Sequence, residues 1–250
     1  MSLRRVVAVL VALVGTTGVV VAGLATFAPE EDRTTFTQPG PIRDVDVEVE
    51  GGRIEVVAGA ADAAGIERNR RYLLGAPTTT ETLVDGTLRI RAACPRFVAV
   101  GCRVDYRLEV PVGVALRVRS DRGPVSVDDV AGMVDVGTGA GGVRLMRTQG
   151  PVRVNTSAGN VDGVDLVAAF LDATTGAGRI RLSLAEPSGR VGLRTGAGDI
   201  DLALPPAPGG YRVDADAGAG RVDLSVAQDP GAARAVIARS ATGNIRVSTR

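Results

Sequence analysis

One pattern recurs along this chain and limits what it can fold into: apolar-x-apolar-x-small-x-x-Gly-x-apolar-x-apolar. Clear copies are LRVRSDRGPVSV from Leu116, VDVGTGAGGVRL from Val134, VRVNTSAGNVDG from Val152 and LDATTGAGRIRL from Leu171. VGLRTGAGDIDL from Val191, VDADAGAGRVDL from Val213 and VIARSATGNIRV from Val236 follow. The starts are 18, 18, 19, 20, 22 and 23 residues apart. An earlier copy, VDVEVEGGRIEV, begins at Val45, and a degraded one, TTETLVDGTLRI, at Thr79.

Each copy alternates with period two, so Val191 and Leu193 share one face of a strand and Gly192 and Arg194 the other. The glycine permits a sharp corner between two half-strands. These corner positions are Gly52, Gly123, Gly141, Gly159, Gly178, Gly198, Gly220 and Gly243. The small position before the corner holds Ser120, Thr138, Thr156, Thr175, Thr195, Ala217 and Ser240, which fits rungs stacked too closely for a larger side chain. One unit has too little apolar surface to stand alone, but a stack buries a continuous aliphatic column.

The expected fold class is therefore all-β: a β-solenoid-like stack of about nine strand-turn-strand rungs, roughly 40 Å long. The alternative is a β-meander folded into a two-sheet sandwich, with the glycine turns as hairpin loops. In a stacked register Arg179, Asp199 and Arg221 form a ladder of alternating charge that helps fix the register.

Composition supports many short strands. Apolar residues make up 45% of the 250 and aromatic residues only 3%, so the core must be Val, Leu, Ile and Ala. The net charge of +1 gives no field for nucleic acid. There is no His, and all 29 basic residues are Arg. An imidazole base, the commonest zinc ligand, a Schiff-base lysine and a P-loop lysine are thus all missing.

The N-terminus sets the expected compartment. Arg4 and Arg5 precede an uncharged run from Val6 to Ala28, followed by Glu30, Glu31 and Asp32. At 1.5 Å per residue the run spans roughly 34 Å, enough to cross a bilayer with the positive end inside. This predicts a cytoplasmic stub (1–5), a transmembrane signal anchor (6–28), a linker (29–40) and an extracytoplasmic β-strand-repeat domain (41–250), with the clearest repeats in 116–250. The chain is then a single-pass protein of the cell membrane. A cleaved signal peptide, and so a secreted protein, is the alternative. In an exported chain the CPRFVAVGC spacing predicts a local disulfide between Cys94 and Cys102. The run from Ala58 to Arg71 reads as a short helix or loop, whose Arg68, Arg70 and Arg71 are candidates for anionic headgroups.

The segments TGAGDIDL, TGAGRIRL, AGAGRVDL and ATGNIRV resemble the adhesin-like β-strand-repeat domains, a bacterial family of domains of unknown function. The likeness covers about residues 41–250 and is strongest from Leu116. It implies a strand-repeat fold, an N-terminal membrane segment and a surface or envelope role. It brings no catalytic residues.

Other chemistries fit poorly. GTGAGG from Gly137 precedes a strand and not a helix, so a turn explains it better than a phosphate loop. Calcium-binding nonapeptide repeats need an Asp at one fixed place. Here that place holds Pro124, Gly142, Asn160, Arg179, Asp199, Arg221 and Asn244, leaving only lone candidates near Asp199 and Asp201 or Asp214 and Asp216. No carboxylate pair breaks the repeat as a glycosidase site would. The expectation is a scaffold with no catalytic, cofactor-binding or metal residues, meeting the membrane and either a cell-wall polymer or an envelope protein. The rival functions are an envelope-stress or signalling accessory and a polysaccharide-acting enzyme.

Overall fold

The computed structural model describes residues 29–95 and 101–250. The expected stub and membrane anchor lie outside the described residues. Among those described, no helix is long and apolar enough to cross a membrane.

Every regular element is a strand. In chain order they are β1 (Glu30–Pro39), β2 (Asp44–Gly51), β3 (Ile54–Gly59), β4 (Ala63–Tyr72), β5 (Thr78–Val84), β6 (Thr87–Ala93) and β7 (Arg103–Pro111). Then come β8 (Ala115–Arg122), β9 (Val125–Asp128), β10 (Val134–Ala140), β11 (Val143–Met146), β12 (Val152–Ala158), β13 (Val161–Leu166) and β14 (Phe170–Ala177). The last are β15 (Ile180–Leu184), β16 (Arg190–Ala197), β17 (Ile200–Leu204), β18 (Arg212–Ala219), β19 (Val222–Ser225), β20 (Ala235–Thr242) and β21 (Ile245–Thr249).

They form two mixed sheets and no closed barrel. The eleven-stranded sheet runs β1-β4-β7-β3-β9-β11-β13-β15-β17-β21-β19, and the ten-stranded sheet runs β18-β20-β16-β14-β12-β10-β8-β2-β6-β5. The two-sheet expectation fits these layers. The glycine turns, however, are not hairpin loops. From β8 onward the chain crosses to the opposite sheet at each corner, and each strand pairs in parallel with the strand of a neighbouring repeat. Leu116, Val134, Val152, Leu171 and Val191 lie in one register, so the sequence repeats stack in phase.

The core follows from the alternation. Val134 and Val136, Val152 and Val154, and Val191 and Leu193 point inward from one sheet; Val143 and Leu145, Ile180 and Leu182, and Ile200 and Leu202 meet them from the other. All are fully buried. One coil orders about twenty residues for four such side chains, so its stability depends on neighbours.

The two ends depart from the repeat order. β6 and β7 lie outside β2 and β3, and the last coil, β20 and β21, slots between the β16–β17 and β18–β19 coils. The expected Arg179–Asp199–Arg221 ladder is therefore interrupted. Arg179 reaches Asp199 at 3.5 Å, but Asn244 stands next, its N–H donating to Asp199 Oδ1 at 2.8 Å. Arg221 N in turn donates to Asn244 Oδ1 at 3.0 Å. The unbroken ladder on that face is Arg181, Asp201, Arg246 and Asp223.

Three N-terminal expectations are corrected. Most of the stretch read as a linker is β1, paired antiparallel with β4. Most of the stretch read as a helix or loop is β4 itself, paired also with β7. The degraded copy from Thr79 is no rung: Asp85 and Gly86, both at positive φ, turn β5 back onto β6 as an antiparallel hairpin.

Candidate functional site

The corner glycines form a spine along one edge of the stack. The order is Gly52, Gly123, Gly141, Gly159, Gly178, Gly198, Gly243 and Gly220, following the strand order and not the sequence. A Cβ on any from Gly123 onward would lie within 1.9–2.1 Å of the carbonyl oxygen of the preceding spine glycine. At Gly198 the backbone also sits at φ +145°, which side-chain-bearing residues rarely adopt.

The small position before the corner serves more than fit. Thr175 Oγ1 donates to Gly159 O, Thr195 Oγ1 to Gly178 O and Ser240 Oγ to Gly198 O, each at 2.9 Å. Thr156 makes the same bond to Gly141 O at 3.4 Å. These four hydroxyls stitch their rungs to the carbonyl of a neighbour, a role the Ser/Thr recurrence could have suggested; Ser120 Oγ instead donates to Arg122 O of its own strand at 3.3 Å, and Thr138 Oγ1 has no partner among the described residues.

The spine begins at Gly52, and the β6–β7 coil lies beyond it. The connection between β6 and β7 carries the Cys94–Cys102 disulfide, with Cα atoms 6.0 Å apart. Cys94 N–H donates to Glu50 Oε2 at 2.8 Å. A cleft of about 400 Å³ opens beside it. The disulfide, Gly52, Gly123 and Pro124 line it together with Arg53, Arg103, Arg122 and Asp105. Four of the predicted site residues thus meet in one place, and the other corner glycines run away from it along the edge.

Several arginines elsewhere pair with Asp across strands: Arg119 with Asp135 at 2.8 Å, Arg147 with Asp129 at 2.7 Å, Arg194 with Asp172 at 3.3 Å. The Arg147 guanidinium holds the Asp129 carboxyl below its ordinary range. In the cleft, Arg103 lies 3.3 Å from Asp105, whose Oδ1 is already accepting the Arg53 N–H at 2.7 Å. The side chains of Arg53 and Arg122 form no ion pair among the described residues. Three guanidinium groups thus face one carboxylate. The cleft continues past Arg53 and Pro124 into a hollow of about 240 Å³ bearing Arg144 and Asp162. No single residue in the sequence marks this groove, because it depends on which Arg side chains the stack leaves without an ion pair.

The other arginines singled out in the sequence are neutralised. Arg70 pairs with Asp32, and Arg71 with Glu31 at 3.0 Å. Arg68 is mostly buried between the sheets, donating to Glu81 Oε1 at 2.8 Å and Thr79 Oγ1 at 2.8 Å. Tyr106 OH also donates to Glu81 Oε1, at 2.7 Å. Burial, and then the hydrogen bond to Glu81, push the Tyr106 phenol well above its ordinary range. This cluster joins β4 and β7 of one sheet to β5 of the other. Among the described residues no three His, Cys, Asp or Glu side chains gather as a metal site would require. Asp214, considered for calcium, is instead held by Arg239 at 2.5 Å.

No family model matches the chain, and no curated protein does. Solved structures similar to it include a candidate cell adhesion protein from Clostridium sporogenes, 12% identical, covering 89% of this chain and 100% of that one with a TM-score of 0.42. A candidate adhesin from Bacteroides fragilis is 12% identical over 86% of this chain and 97% of its own, with a TM-score of 0.41. A candidate lipid-binding protein from Parabacteroides distasonis is 9% identical over 88% and 97%, with a TM-score of 0.37. Each description belongs to that protein.

Proposed function

We propose that this chain is a membrane-anchored, extracytoplasmic β-repeat scaffold that binds an envelope polymer without transforming it. The groove at the disulfide is its contact site, and the ligand is a polymer bearing carboxylates or phosphates. The observation that carries this is the local break in a regular repeat. Beside the Cys94–Cys102 connection, past the first glycine corner, a groove opens with Arg53, Arg122 and Arg144 free of ion pairs among the described residues. A planar guanidinium fork suits carboxylate or phosphate oxygens two at a time. The apolar run before the domain supports the anchor, with the domain on the far side.

Binding of the detergent-solubilised chain to an acidic polysaccharide, compared with its neutral analogue, tests the ligand chemistry. Retention should fall with added salt and with the double change Arg53→Glu and Arg122→Glu. Equal retention on both polymers would overturn the reading. Protease added to intact cells should remove an epitope placed after Arg250; protection of that epitope would reject the topology.

A further inference from the structure

The two ends of the stack are built differently. At the first, β1 edges one sheet with Glu30, Glu31, Asp32 and Arg33, and the Arg68–Glu81–Tyr106 cluster closes the space between the sheets. Charged edge strands of this kind discourage further pairing. At the other, the β18–β19 coil ends the stack with no further strand on it among the described residues. Its inward side chains Val213, Ala215, Ala217, Leu224 and Val226 pack on the core from one side only, and Val222 is 42% exposed. Arg212 N–H donates to Arg234 O of the adjoining segment at 2.9 Å. By strand alternation the backbone groups of Val213, Ala215 and Ala217 face the open edge.

We propose that the occupant of this edge is a second copy of the chain, joined end to end across a two-fold axis with β18 antiparallel to its mate. The charges select the register. The outward residues of β18 are Arg212, Asp214 and Asp216. Arg239 already satisfies Asp214, through its carboxylate at 2.5 Å and its carbonyl at 2.9 Å. Arg212 and Asp216 have no ion-pair partner among the described residues. Centring the axis on Asp214 sets Arg212 of each copy against Asp216 of the other and covers both open edges with apolar side chains. It also makes Val213 and Ala215 the hydrogen-bonded pair, as their free backbone groups require. The interface is self-complementary, and the blunted opposite end stops assembly at two. The end face is about eight residues long and one sheet pair thick, roughly 26 by 10 Å, so the dimer is small and reversible.

Asp214→Cys in the full chain, in detergent, tests this. A non-hydrogen-bonded antiparallel pair brings Cα atoms to about 4.5 Å, within disulfide reach. A non-reducing gel should show a crosslinked dimer for Asp214→Cys and none for Thr35→Cys on the blunted end. In that background Arg212→Glu should cut the dimer yield severalfold, as should Asp216→Arg, and the two together should restore it. Unchanged circular dichroism of each variant confirms that the fold is kept. Equal crosslinking through Thr35→Cys, failure of the double swap to restore the dimer, or a crosslink to a different envelope protein with none to itself would each overturn the proposal.

Discussion

A single methyl group on Gly198 tests the stacked-coil geometry most sharply. The Cβ of Gly198→Ala would lie 2.1 Å from Gly178 O, a backbone atom that cannot swing aside. The two coils must part locally by about 1 Å to reach ordinary contact. That loosens two bonds between those coils: Gly178 N–H to Ala197 O at 2.8 Å, and Thr195 Oγ1 to Gly178 O at 2.9 Å. Holding Ala at φ +145° costs about 1–3 kcal/mol, and each weakened hydrogen bond about 0.5–1.5. The sum is about 2–6 kcal/mol, or a fall in melting temperature of roughly 4–24 °C for a domain of this size. Gly113 is the control, since a Cβ there meets nothing within 4 Å and its φ is ordinary. Gly113→Ala should leave stability unchanged or raise it by about 0.4–1 kcal/mol. Thermal unfolding followed by circular dichroism reads both. A Gly198→Ala protein melting with the wild type would refute the account of the corner.

Thr175→Val keeps the shape but leaves Gly159 O without its donor, and should cost about 1 kcal/mol in a denaturant titration. Glu81→Ala strands the buried Arg68 charge and the Tyr106 hydroxyl; a loss of about 3–5 kcal/mol is expected, largely recovered when Arg68→Leu is added, and a double-mutant cycle measures it. With no His in the chain, stability should be flat through neutral pH. Asp129, Asp214 and Glu31 titrate below their ordinary range in the folded chain, held there by hydrogen bonds to Arg147, Arg239 and Asn69 respectively. Their contribution is present above the unfolded carboxylate range and disappears as pH falls through the lowered values. Tyr72, Tyr106 and Tyr211 are raised by burial, so stability should also decline above about pH 10, as the unfolded phenols ionise first. A transition near pH 6.5 in the unfolding midpoint would contradict this.

What the sequence made legible followed from repetition. The period-two alternation named the inward residues from Leu116 to Val247, and the glycines marked each crossing. The ends were harder because their strands carry weak alternation. In β1 only Phe36 packs against the core, and β4 turns its inward row from Ala64 and Ile66 to Arg68. The Asp85–Gly86 hairpin signal was present but masked by the likeness of its flanks to a repeat. The displaced final coil also left a trace. Repeat spacing grows to 22 and 23 residues where the chain steps past a neighbour's place and returns, through PPAPGG and AQDPGAAR. The groove at Arg53 and Arg122 was not legible, since an unpaired charge is a property of neighbours brought together by the stack.

The most direct test of the scaffold account is saturable pelleting of the detergent-solubilised chain onto washed, protease-stripped cell wall. The account predicts saturable retention of the unaltered protein, displaced by salt and abolished by Arg53→Glu with Arg122→Glu. No retention on the stripped wall, with one envelope protein recovered instead in stoichiometric crosslinks, would contradict it.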